Sequence, residues 1–140
     1  MGGEGHDWKV ITLYPGVAAG PFILGEPLES KLIEQFCLEV TDTSVSDDGN
    51  WITFENDSVT VSVEDGTIAT VSCSEVLLFG GVNLLSLSRS EFLASYADEE
   101  LKITGPIQIG MEELDCLELD NLGLMVWARG EMIDGIDVLG

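Results

Sequence analysis

The feature that most limits how this chain can fold is its similarity to itself, because matching at a fixed offset marks one supersecondary unit built twice. At an offset of 60, segment 20–24 falls on 80–84, Ser30 on Ser90, Leu32 on Phe92, Ile33 on Leu93 and Phe36 on Tyr96. Further along the offset becomes 65, pairing Ile52 with Leu117, Phe54 with Leu119, Asn56 with Asn121, Val59 with Leu124, Val61 with Val126, Ile68 with Ile133 and Val71 with Ile136. The change places about five extra residues between Tyr96 and Cys116, in a loop, where insertions cost little. The chain of 140 residues therefore reads as one domain: a flexible N-terminus over 1–9, a first repeat over 10–75 and a second over 76–140.

Each copy begins with a Gly-containing lead-in and a short amphipathic helix. Leu28, Leu32, Ile33 and Phe36 follow the spacing of one helical face. In the second copy Ser88 or Ser90 caps the helix, with Glu91 near its positive end and Phe92, Leu93 and Tyr96 on its apolar side. Alternating, β-branched segments follow at 51–55, 59–64 and 67–73, with Asp65-Gly66 as a two-residue hairpin signal. The second copy answers at 114–119, 123–129 and 132–138, joined by Asp120-Asn121 and Arg129-Gly130. Residues 10–14 add a strand and 76–79 link the halves. The expected class is α+β: two similar helix-plus-antiparallel-strand repeats forming one mostly antiparallel sheet with helices on one face.

Charge narrows the function. There are 26 acidic against 5 basic residues, a net charge of −21, yet 45% of residues are hydrophobic, enough for a core and against disorder. Such a surface repels nucleic-acid phosphates and anionic membranes, and attracts basic proteins over a Debye length of about 8 Å. A basic protein partner is expected, with no direct nucleic-acid or membrane binding. Cys37, Cys73 and Cys116 are odd in number, widely spaced and set among apolar neighbours, reading as buried thiols of a reducing compartment. With no basic stretch leading an apolar run at the N-terminus, the expected location is cytoplasmic.

Most catalytic chemistry finds no footing in the sequence. The single histidine, His6, sits in the Gly-rich terminus, far from any nucleophile in a patterned segment. No Cys/His spacing suits zinc, and no Gly-rich loop is followed by Lys-Ser or Lys-Thr. Asp48, Gly49 and Glu55 fall on positions five, six and twelve of an EF-hand loop. Ser44 stands where that loop needs Asp, however, and strands follow instead of a helix, so a turn accounts for the same residues. No cofactor and no enzymatic activity are expected.

One difference between the copies bears on function. Opposite the Val59, Val61 and Val63 face lie Thr60, Ser62 and Glu64, whereas the matched positions in copy two are Met125, Trp127 and Arg129. Two readings stay open: the extra segment around 102–112 covers this face, the commoner fate of such residues, or the face is an exposed patch used for association. On the second reading Trp127 and Met125 are anchors inside an acidic rim that includes Glu112, Glu113, Asp115, Glu118, Asp134 and Asp137. Asp47, Asp48 and Trp51 form a second candidate cluster on copy one.

A small, acidic chain of this kind, lacking a catalytic constellation, resembles bacterial immunity proteins, which neutralise toxin domains delivered by competing cells. The duplicated helix-plus-sheet unit is similar to the tandem-repeat β-lactamase inhibitor proteins, whose sheet face clasps an enzyme. The first resemblance implies occlusion of a basic toxin domain such as a nuclease, steered by acids and held by Trp127, Met125 or Trp51. Two alternatives remain: a phosphate mimic inhibiting a DNA-binding enzyme, and a small enzyme using a carboxylate.

Overall fold

A computed structural model describes residues 11–46, 49–96 and 101–139. The flexible segment expected over 1–9, and Asp47 and Asp48, lie outside the described residues. In chain order the elements are β1 Leu13–Tyr14, β2 Ala18–Ala19, β3 Phe22–Ile23, α1 Ser30–Gln35, β4 Glu39–Ser46, β5 Gly49–Glu55, β6 Val59–Glu64 and β7 Thr67–Cys73. They continue with β8 Leu78–Phe79, β9 Val82–Asn83, α2 Arg89–Ser95, β10 Leu101–Ile109, β11 Glu112–Leu119, β12 Leu124–Arg129 and β13 Met132–Leu139. Largely β, the molecule is built on one eight-stranded antiparallel sheet in the order β10-β11-β12-β13-β7-β6-β5-β4.

The inner strands form where β-branched residues alternate with polar ones. Along β6, Val59, Val61 and Val63 are buried while Thr60, Ser62 and Glu64 are half-buried. Asp65 and Gly66 both take positive φ, 50° and 88°, the geometry of a two-residue turn that returns the chain into β7. Asn56 fixes the preceding turn: its side-chain oxygen accepts from the Ser58 and Val59 amides at 2.8 and 2.7 Å, and its amide donates to the Phe36 carbonyl at 2.8 Å. The end of α1 is thereby tied to the sheet.

Both halves run inward from an edge, so the final strands meet in the middle. There Val71 faces Val138, Ser72 faces Asp137 and Cys73 faces Ile136. One face of the sheet carries the core: Val61, Val71, Leu117, Leu119, Leu124, Val126, Ile136 and Val138 are buried in one cluster with Phe22, Leu32 and Phe36 from the first half and Phe92 from α2. Phe92 packs on Tyr96 at 4.9 Å between ring centroids, and Phe22 on Phe36 at the same separation. Burial at about 25 cal/mol per Å² makes this cluster the main source of stability.

Several expectations are corrected. Of the strand expected over 10–14, Leu13–Tyr14 is strand, and it joins β2 and β3 in a separate three-stranded sheet. Leu78–Phe79 pairs with Val82–Asn83 in a small hairpin, and Leu78 also bridges Thr12 and donates its amide to the Ile11 carbonyl at 2.7 Å, so segment 76–79 does tie the second half to the first. The helices are short, as expected, at six and seven residues. Ser88, not Ser90, caps α2, in a capping box with Glu91; Ser90 donates to Glu131 instead, at 2.8 Å. Segment 102–112 is no loop but β10 and the start of β11, and it extends the sheet in its own plane.

Candidate functional site

The register fixes which side chains share the sheet face opposite the core. One row crosses all eight strands through Lys102, Glu118, Met125, Asp137, Ser72, Thr60, Glu55 and Glu39. Alternation along the strands adds Cys116 and Trp127 on one side, and Thr53, Ser62 and Thr70 on the other. This outer face is thus divided: Met125 and Trp127 lie on the second half, and hydroxyl side chains cover the first. Since β10 lies beside β11 within the sheet, segment 102–112 does not roof Met125 and Trp127, and both are half-buried.

Asp137 sits where the two parts meet. Its carboxylate accepts from the Ser72 hydroxyl at 2.6 Å and from the Trp127 indole N–H at 3.0 Å, so one anion joins β7, β12 and β13. Two strands away, Glu118 accepts from Thr104 Oγ1 at 3.1 Å. At the near end of the face Arg129 donates to Asp134 at 3.0 Å. On the first half Thr60 donates to Glu55 at 3.3 Å. Among the described residues, the donors to Asp137 and Glu118 are thus neutral groups.

The buried thiols report on that charge. Cys116 lies opposite Trp127; burial pushes its thiol up to about 11, helped by Glu118 and Asp137. Cys73 lies on the core side of β7, and burial, then Asp137, pushes its thiol up to about 12. Thiols that hold their protons so firmly are poor nucleophiles. Cys37 departs from the sequence expectation of three buried thiols, being exposed just past α1 with a φ of 51°.

The expected binding residues do not all converge. Trp127, Met125, Glu118 and Asp137 come together on the outer face, with Asp134 at their edge. Trp51 is on the same face and 38% exposed, but on β5, four strand spacings from β12, about 19 Å. Asp115 points to the opposite, core side, where Arg89 of α2 donates to it and both side chains are 23% exposed; it is a structural ion pair. Glu113 shares that side and is exposed. Glu112 opens β11, and its side chain is outside the described set. Ser72, Thr104 and the hydroxyl field of Thr53, Thr60, Ser62 and Thr70 escaped sequence reasoning as site residues. The one signal for them is the repeated Thr-x-Ser at 60–62 and 70–72.

Elsewhere, a cleft of about 130 Å³ lies among Pro21, Ile23, Glu26, Pro27, Glu29 and Leu32 beside α1, below the roughly 300 Å³ at which small-molecule sites begin. A wider groove of about 300 Å³ is lined by Cys37, Glu39, Glu55, Asn56 and Asp57. Among the described residues no three His, Cys, Asp or Glu side chains are grouped to hold a metal ion, and segment 44–55 is a β-hairpin as far as it is described. No helix among them is long and apolar enough to cross a membrane. Compared with known proteins, the chain matches no family model, no curated protein and no solved structure.

Proposed function

We propose that the chain is a non-catalytic binding protein that neutralises a basic protein partner, an antibacterial toxin domain, acting as its immunity protein by laying the outer sheet face against it. The observation that carries this reading is the distribution of charge. All four described cations are engaged with carboxylates: Lys31 with Glu29, Arg89 with Asp115, Lys102 with Asp120 and Arg129 with Asp134. The large acidic excess is thus left for something outside the molecule. On the outer face that excess surrounds Met125 and Trp127, the residue types that anchor interfaces, so steering and short-range packing coincide.

We also infer that the two halves are copies of one helix-plus-sheet unit, with the helices on one face. In support, bulges fall between Ser62 and Val63 in one half and between Trp127 and Ala128, 65 positions later, in the other. Phe54 faces Val61 as Leu117 faces Val126, and Val40 faces Phe54 as Ile103 faces Leu117, now at an offset of 63. The buried helix residues Leu32 and Phe92 are 60 apart. On this reading about three residues were added before β10 and two between β11 and β12, where a 3-10 turn spans Asp120–Leu122.

The test is capture by the tagged chain from lysate of the source organism, at about 150 and about 500 mM salt, with Trp127→Ala and Met125→Ala variants in parallel. The expected result is one stoichiometric basic protein that survives the higher salt and is lost with either variant. A broad set of DNA-binding proteins released at high salt overturns the reading in favour of phosphate mimicry. So does a partner indifferent to both substitutions, which moves the site off this face.

A further inference from the structure

We propose that Glu118, Met125, Trp127 and Asp137 form a receptor for a single arginine side chain of the partner, with Met125 as its floor. The assignment rests on the outer face being the binding face, and names the chemistry that face selects.

The geometry is set by the register. Glu118 and Asp137 flank Met125 on the neighbouring strands, two strand spacings apart, about 10 Å. Trp127 is the next residue of β12 on the same face, and its indole is fixed by the N–H donated to Asp137 at 3.0 Å. Among the described residues the donors to both carboxylates are neutral, namely Thr104 on Glu118 and Ser72 and Trp127 on Asp137. The described cations bind other acids. Two anions thus stand on either side of an apolar, aromatic surface with no cation between them among the described residues; Lys102, beside Glu118 in the row, binds Asp120.

A guanidinium fits this setting better than an ammonium. It is planar and weakly hydrated, it stacks on aromatic rings, and its donors fan out to more than one acceptor, whereas the lysine head is a compact, strongly hydrated point charge. Met125 offers a polarizable surface under the plane.

The experiment titrates the full chain calorimetrically with two acetylated, amidated peptides, each carrying three arginines or three lysines separated by glycines, at about 150 mM salt. The arginine peptide is expected to bind about tenfold more tightly. Asp137→Asn and Glu118→Gln remove charge while keeping shape, and each is expected to bring the arginine peptide near the lysine value; Trp127→Leu does the same by removing the ring. Glu34→Gln, an exposed acid on α1, leaves the preference unchanged. Equal binding of the two peptides, abolished by salt, overturns the arginine receptor while leaving a basic partner standing. A preference for arginine that survives both isosteric variants also overturns it, by placing the selectivity elsewhere. Failure of both peptides to bind overturns it too, and the lysate capture then decides the broader reading alone.

Discussion

Cys73 and Cys116 point to opposite faces of the sheet and keep their protons for related reasons: each is removed from water, and each feels Asp137 across the fold. In the unfolded chain a thiol ionises near its ordinary value of 9.0, while the folded values stand at about 12 and about 11. Raised values in an acid mean that the folded form retains protons the unfolded form gives up. The associated stability is complete at neutral pH and is lost as pH rises above the ordinary thiol range. At about pH 8 a chromogenic thiol reagent is therefore expected to modify one cysteine quickly, Cys37, and all three once denaturant is added. Immediate reaction of three thiols in the native chain would contradict this burial.

At the level of single elements, α2 is the better-anchored helix. Ser88 Oγ accepts the Glu91 amide at 3.1 Å and Glu91 returns the bond to the Ser88 amide at 2.9 Å, whereas α1 has no side-chain cap. Hydrogen bonds from the Ser88 amide and then its hydroxyl hold the Glu91 carboxyl below its ordinary 4.5, so its contribution is present above that value and lost as pH falls through the lowered one. Ser88→Ala is expected to cost about 1 kcal/mol at neutral pH in urea unfolding, and the gap to the parent chain narrows in acid as Glu91 becomes protonated. An unchanged gap at low pH would separate the cap from the Glu91 charge.

The same scale shows what the sequence could express. Segments 59–64 and 67–73 were legible to the residue, because a strand buried on one face only must alternate. The edge strands β4 and β10 were not, since Val40, Val45 and Ile103 are exposed and edge positions impose no such pattern. Met125 and Trp127 stood out because the halves differ there. Ser72 and Thr104 did not, because a hydroxyl facing solvent and one holding a carboxylate look alike until the register is known.

For the whole molecule, the decisive feature is the seam between β7 and β13, where the halves meet about the Ser72–Asp137 pair. Ser72→Ala removes a hydrogen bond to a charged group and is expected to cost about 1.5 kcal/mol; Ser72→Asp sets two carboxylates face to face and costs more. If the seam is symmetric about this pair, combining Ser72→Asp with Asp137→Ser restores it in reverse and recovers most of the loss in urea unfolding. Additive losses would show that the two positions are not interchangeable. The pair has a further consequence for choice of mate. Two second halves brought together along the same edge would oppose Asp137 to Asp137, and like would be turned away from like. With a serine on one edge and an aspartate on the other, the seam favours a mate unlike itself over a copy.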